Sequence, residues 1–355
     1  VRLRFLTSTP LDIRRGSGTY VGIRLLAEAL GELGHTVEFE TPRLRLPVYT
    51  FERLVFNWRL RPSAAYDVTV GFDLDGYRIA GVGAHVAALK GVIADEIRFE
   101  RGAARFTMSM QARREREHVR RAARVLVTSR YSAERARELY GLERLPTVVP
   151  EPIDLARWRR ALASNPAAAP PGCTVLFVGR LYRRKRVDVL LRAAEMLRGR
   201  IPDLAVRIVG DGPFRREWHS LARELHLEDT VVWLGDVSRA ALAAEYNRAT
   251  LFCLPSAQEG FGIVLLEAMA AGRPIVAARA GAMPETIPHG TLVDPDDPAA
   301  LAQAIEALWR DPDRRAALAR TGTAWVEQFD APRVARQFVD AVAEVARGRA
   351  AESPA

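Results

Sequence analysis

Glu259-Gly260-Phe261-Gly262-Ile263-Val264-Leu265-Leu266-Glu267 sets two carboxylates around a Gly-Phe-Gly turn and the start of an apolar helix. The preceding run, Thr250-Leu-Phe-Cys-Leu-Pro255, has the length and apolarity of a buried strand, and Gly272-Arg273-Pro274 ends the helix after Ala271. A strand-to-helix turn of this kind points backbone N–H groups, and the roughly +0.5 charge of a helix N-terminus, at any anion beside it. Glycines at 260 and 262 let a ligand come close to the backbone. Glu259 precedes the helix and Glu267 lies about one and a half turns into it, so both can face a polyhydroxylated ligand. Taken alone, a loop acid and a helix-surface acid around a core helix would give the same pattern.

The surrounding sequence repeats this grammar. Thr174-Val-Leu-Phe-Val-Gly179, Ala205-Val-Arg-Ile-Val-Gly210, Val231-Val-Trp-Leu-Gly235 and Pro274-Ile-Val-Ala277 are short apolar runs alternating with helical patterns. Such alternation describes a parallel α/β sheet with ligand-binding loops along one edge. Val178-Gly-Arg-Leu181 is followed by Lys185, five residues after Arg180. Then come Val209-Gly-Asp-Gly-Pro213 and Pro255-Ser-x-x-Glu-Gly-Phe-Gly262, with Glu267 eight residues after Glu259. This order resembles the retaining nucleotide-sugar glycosyltransferases, specifically glycosyltransferase family 4 (glycosyl transferases group 1). The likeness covers roughly residues 172–328 and is looser over 1–150.

The resemblance implies a GT-B fold: two Rossmann-like parallel-sheet domains facing across a cleft. It implies an enzyme moving a sugar from a UDP- or GDP-linked donor to a glycan, lipid-linked or small-molecule acceptor. It also implies retention at the anomeric carbon by front-face attack, with no metal and no cofactor beyond the NDP-sugar. Carried over residue by residue, Glu259 binds donor-sugar hydroxyls, Glu267 the ribose, and Arg180 and Lys185 the diphosphate. Gly210, Asp211, Gly212, Leu234, Gly260, Phe261, Gly262 and Ile263 surround the donor. The charges suit this: a departing diphosphate gains negative charge, which cationic side chains and helix N–H groups can neutralise without an ion. Arg180 offers a two-pronged fork and Lys185 a point charge. Only two lysines, Lys90 and Lys185, stand among 52 basic residues, so each marks a position where a compact ammonium is used. A surface residue within Arg183-Arg-Lys-Arg186 is the plain alternative for Lys185.

At 355 residues the chain accommodates two domains. Residues 1–150 form the acceptor-side domain and 151–171 a linker whose last part, Ser164 to Gly172, is rich in small residues and proline. Residues 172–330 form the donor domain, and 331–355 hold a last helix, about 332–347, which the resembled fold returns to the first domain. First-domain strands are expected near 2–7, 36–40, 67–72, 84–89 and 124–127, with another at Thr147–Pro150. The net charge of +9 is concentrated early: 1–150 carries 25 Lys+Arg against 17 Asp+Glu, and 151–355 carries 27 against 26. Cys173 and Cys253 sit in or beside apolar strands and suit a reducing compartment. No apolar run reaches eighteen residues, so the expectation is a soluble, cytoplasmic protein, with peripheral contact at the inner membrane face left open.

In the first half, Gly16-Ser-Gly18 opens an amphipathic helix and the resemblance sets this loop against the donor phosphates or the acceptor. A dinucleotide fingerprint is the rival, since Glu38 and Glu40 follow, but about nine residues separate the first strand from Gly16 where that turn should be tight. Lys90 ends a strand where the resembled family often carries a histidine, and takes a catalytic role toward donor sugar or phosphate in its place. His85 reads as structural. Glu117 matches a helix acid of the family. Asp73-Leu-Asp75 could hold a divalent ion; the cationic set already serves that purpose, and these acids are expected at the cleft rim or on the acceptor.

Phe51, Leu54, Val55 and Trp58 share a helical face, with Arg53, Arg59 and Arg61 alongside, the profile of a helix lying on an anionic lipid surface or packed on its own domain. No nucleic-acid motif accompanies the basic residues. Two other classes compete: an NDP-sugar epimerase, which needs no acceptor, and a non-catalytic sugar-nucleotide binder, which would be expected to have lost part of the set Arg180, Lys185, Glu259 and Glu267.

Overall fold

A computed structural model of the chain describes residues 1–9, 18–43, 46, 48–167 and 172–352, with side chains to 347. Gly16 lies outside the described residues. The chain divides into two compact units: Val1–Pro152 together with Ala331 onward, and Ile153–Asp330.

The first unit holds a six-stranded parallel sheet, β1 (Arg2–Leu6), β2 (Thr36–Glu40), β3 (Val68–Phe72), β4 (His85–Leu89), β5 (Arg124–Val127) and β6 (Thr147–Val148), in the order β2-β1-β3-β4-β5-β6. Its helices are α1 (Gly18–Glu32), α2 (Tyr49–Arg59), α3 (Ile93–Glu96), α4 (Gly102–Arg121) and α5 (Arg130–Tyr140). The second unit contains α6 (Leu155–Ser164), α7 (Val187–Leu197), α8 (Arg215–Glu224), α9 (Arg239–Arg248), α10 (Ile263–Ala270), α11 (Met283–Thr286), α12 (Pro298–Arg310) and α13 (Pro312–Trp325). Its parallel strands are β7 (Cys173–Val178), β8 (Leu204–Val209), β9 (Val231–Gly235), β10 (Leu251–Leu254), β11 (Ile275–Ala278) and β12 (Thr291–Val293), ordered β12-β11-β10-β7-β8-β9. β7, β10 and β11 are buried along their whole length, which is why they read as unbroken apolar runs rather than alternating ones.

The last helix, α14 (Ala331–Glu352), belongs to the first unit. Val334, Phe338 and Val342 share a core with Ile23, Leu26 and Leu30 of α1, and Phe338 meets Phe5 edge-on. The expected linker 151–171 is largely structured: α6 buries Leu155 and Trp158 in the second unit's core. The amphipathic spacing within 155–164 outweighs the small, proline-rich composition that follows it.

Four first-unit expectations change. Asp75 is fully buried rather than at a rim. Its carboxylate accepts from the Ser8 N–H and hydroxyl at 2.6 Å each, from Asn57 Nδ2 at 3.0 Å, and from Arg53 at 3.3 Å. Asp73 is also largely buried; it accepts the Lys90 N–H at 2.9 Å and lies 3.7 Å from Arg53. Burial pushes the Asp73 carboxyl above its usual range, with Arg53 opposing. Arg53 therefore points inward from α2 instead of lying beside Phe51 and Trp58. Glu117 is exposed and pairs with Arg114 at 2.7 Å, whereas Glu115, two residues earlier, is the buried acid of α4. Glu115 accepts from Tyr140 and from the Ile93 N–H, and burial raises its pKa strongly.

His85 Nε2 lies 2.8 Å from His118 Nε2, and His118 Nδ1 lies 2.5 Å from the Asp73 carbonyl oxygen. Burial lowers both pKa values, that of His118 to about 4, so both rings are neutral at pH 7. The Lys90 ammonium, at the carboxyl end of β4, is 2.8 Å from Glu151 and stands over the Phe72 ring; both partners are nearly inaccessible.

Candidate functional site

In the second unit the strand order reverses direction between β7 and β10, because successive strands run outward from β7 on one side and from β10 on the other. Open parallel sheets bind ligands beyond the carboxyl ends of strands at such a point. The loop after β7 carries Gly179, Arg180 and a 3-10 turn, Arg183–Lys185; the loop after β10 runs from Pro255 to Gly262. These loops meet. Lys185 Nζ lies 2.5 Å from Glu259 Oε1 and both side chains are buried. Arg184 donates to the Gln258 carbonyl at 3.0 Å and approaches Glu259 Oε2 at 3.5 Å, while the Ala257 N–H donates to the Arg184 carbonyl at 2.8 Å. Burial alone would raise the Glu259 pKa; Lys185 and Arg184 outweigh it and hold the carboxylate below its usual value.

α10 begins at Ile263 with Gly262 as its N-cap, immediately after Glu259-Gly-Phe. Its first turn leaves backbone N–H groups without helical acceptors beside the Lys185–Glu259 pair. Two glycines hold this geometry. A Cβ on Gly281 (φ +59°) would stand 2.5 Å from the Glu259 carbonyl oxygen and 2.6 Å from its nitrogen, where the loop after β11 packs on Glu259 and Ala282 N–H donates to the Glu259 carbonyl. At Gly210 (φ +118°) a Cβ would lie 2.1 Å from the Gly179 carbonyl oxygen, so the loops after β7 and β8 approach more closely than any side chain allows. Leu181 N–H donates to the Asp211 carbonyl, and Asp211 accepts the Gly212 N–H while pairing with Arg215 at 3.3 Å.

Glu267, half-buried on α10, is separate from the Lys185–Glu259 pair in its contacts. Its carboxylate accepts from Tyr246 at 3.2 Å. Burial raises its pKa to about 7, against the pull of Arg239 and Tyr246. Its carbonyl accepts the Trp158 indole N–H at 3.0 Å. Arg180 is partly exposed, with its guanidinium 6.0 Å from the Tyr182 ring. Leu234 is half-buried and precedes Gly235, whose carbonyl accepts the Gly210 N–H at 2.7 Å.

The second unit therefore brings Lys185, Glu259, Gly260, Phe261, Gly262 and Ile263 together, with Arg180, Gly210, Asp211 and Gly212 on adjoining loops and Glu267 along α10. Lys90 and Gly18 belong to the first unit. Arg184, Tyr246 and Gly281 are absent from the residues singled out by sequence. Arg184 sits in the basic run beside Lys185, which was the available signal. Tyr246 and Gly281 gave none, since their partners lie 21 and 22 residues away.

Residues 165–325 match the family described as glycosyl transferases group 1. The chain is similar to a D-inositol 3-phosphate glycosyltransferase of Corynebacterium kroppenstedtii, 39% identical over 176 residues, covering 47% of this chain and 39% of that one. It is similar also to a GDP-mannose-dependent alpha-(1-6)-phosphatidylinositol monomannoside mannosyltransferase of Mycolicibacterium smegmatis, 36% identical over 223 residues, covering 57% and 56%. The chain thus spans about half the length of these curated relatives. Among solved structures, sucrose-phosphate synthase from Thermosynechococcus elongatus aligns over 99% of this chain and 100% of its own, with TM-score 0.77 and 22% identity. The Anabaena protein Alr3699/HepE in complex with UDP-glucose aligns over 97% and 99%, with TM-score 0.71 and 20% identity. Such likeness shows the fold, the GT-B arrangement of two Rossmann-like sheets in one chain. Among the described residues, no helix is long and apolar enough to cross a membrane.

Proposed function

We propose that this chain is a metal-independent, retaining glycosyltransferase of family 4 that moves a sugar from an NDP-sugar to a glycan, lipid-linked or small-molecule acceptor. The observation that carries this reading is the Lys185–Glu259 pair beside the α10 N-terminus at the sheet's reversal point. The names of similar proteins support a sugar-nucleotide donor: one uses GDP-mannose, and another is seen with UDP-glucose.

The residues then divide the work. An ammonium carries three donors, so Lys185 can hold Glu259 and a phosphate oxygen together. Glu259, kept ionised by Lys185 and Arg184, accepts donor-sugar hydroxyls. As the bond from the anomeric carbon to the phosphate oxygen breaks, its electron pair leaves with the diphosphate. Lys185, Arg180 and the first N–H groups of α10 neutralise that charge. The acceptor hydroxyl attacks from the same face, and its proton passes to the departing phosphate oxygen. Lys90, close against Glu151, is assigned a role toward the donor only if that pair opens; in this structure its charge is already met.

A thermal-shift panel of nucleoside diphosphates and NDP-sugars tests the reading. The matching compound at a hundred times its Kd should stabilise the second unit by about 2.7 kcal/mol. Turnover should survive excess EDTA; activity lost to chelation and restored by a divalent ion would overturn the metal-independent mechanism. If no compound in the panel shifts unfolding, the donor-site assignment fails.

Glu267 adds a pH signature. With its unliganded pKa about 7, it is mostly protonated at pH 6 and mostly ionised at pH 8. Ribose hydroxyls donate to the ionised form, so nucleoside diphosphate should bind up to about tenfold more tightly at pH 8 than at pH 6. Calorimetric titration of Glu267→Gln should show this slope flattened; an unchanged slope would place the ribose elsewhere.

A further inference from the structure

The first unit presents a surface that donor chemistry does not use. On α2 the inner face is polar and occupied: Arg53 and Asn57 hold Asp75, and buried Glu52 accepts the Leu46 N–H at 2.9 Å. The outer face carries Phe51, Val55 and Trp58 at positions i, i+4 and i+7, and Phe51 and Trp58 are 54% and 62% exposed. Turning the only acid of this helix inward leaves its outer face with no negative charge. A cavity of about 230 Å³ opens beside this stripe, lined by Val55, Phe56 and Arg59 of α2, by Glu52, and by Glu40 to Arg43 after β2. Glu40 is neutralised there by Arg4, whose Nε donates to it at 2.8 Å. Arg43 and Arg59 are exposed, and neither guanidinium bonds to a described residue.

We propose that α2 docks the protein on an anionic phospholipid surface. Phe51, Val55 and Trp58 enter the boundary between headgroups and acyl chains, and Arg43 and Arg59, at the mouth of the cavity, take headgroup phosphates. A stripe of two exposed aromatic residues and a valine is costly to leave in water, and lipid rather than protein fits it because, among the described residues, the free charges beside it are guanidiniums. The charge balance agrees: residues 1–150 carry 25 basic and 17 acidic side chains, a surplus of 8 that an anionic membrane complements. This goes beyond the transferase reading and stands without it.

Vesicle sedimentation of the full chain decides the matter, with phosphatidylcholine vesicles compared against vesicles containing about 30% phosphatidylglycerol. At low salt the anionic vesicles should bind at least tenfold more protein. The pair Phe51→Ser with Trp58→Ser should lower that binding at least tenfold, and Arg43→Gln with Arg59→Gln should bring anionic and neutral binding within about twofold. Wild-type protein left in the supernatant, or variants sedimenting like wild type, would overturn the proposal. Nucleotide thermal shifts on the same proteins separate the two readings. Intact shifts with no lipid binding sink the docking surface alone, and lipid binding with no nucleotide response sinks the transferase assignment alone.

Discussion

Replacing Glu259 by glutamine or Lys185 by methionine is expected to cut turnover at least about a hundredfold, the loss of one preorganised contact worth roughly 2.7 kcal/mol. As exposed loop residues neither would affect unfolding, but the two are buried at 2.5 Å from one another. Each single variant breaks a buried ion pair from one side and should also lower the melting temperature of the second unit. The Lys185→Met/Glu259→Gln double variant removes both charges, so stability should return while activity does not. Steady-state kinetics beside thermal unfolding reads both quantities. Recovery of turnover in the double variant would show that the pair serves folding rather than catalysis.

Arg53→Ala carries the second large effect, in the other unit. It removes the cation from between Asp75 at 3.3 Å and Asp73 at 3.7 Å, and neither carboxylate has another cation within ion-pair distance among the described residues. Breaking a buried ion pair from one side costs about 3–5 kcal/mol. For a unit of this size that lowers the melting temperature by about 10 °C. Adding Asp75→Asn should recover much of the loss. Unfolding followed by circular dichroism checks it, and a transition unmoved by Arg53→Ala would mean that Ser8 and Asn57 suffice to hold Asp75.

The strands of the second unit were legible because parallel strands covered on both faces need apolar residues throughout; Cys173–Val178 and Leu251–Leu254 leave no other reading. Lys185 and Glu259 were legible as residue types at a spacing, although 74 positions separate them. Their contact was not legible, because it depends on which two strands flank the reversal point. Periodicity failed where an inward-facing charge has a distant partner. Arg53 and Glu115 look like surface residues of basic helices until Asp75, 22 positions on, and Tyr140, 25 positions on, are brought beside them. The α2 stripe illustrates the converse: apolar spacing announces a buried face, yet Phe51 and Trp58 face solvent and Arg53 and Asn57 face the core.

The return of α14 bears on how the polypeptide is made. Ile153 and Asp330 lie side by side as a parallel bridge, with the Ile153 N–H donating to the Phe329 carbonyl, so everything between them is an insertion that closes on itself. A ribosome delivers that insertion whole before Val334, Phe338 and Val342 emerge to cover α1 and Phe5. The unit begun first is therefore completed last, and its uncovered apolar surface during translation is where a nascent-chain chaperone would have most to hold.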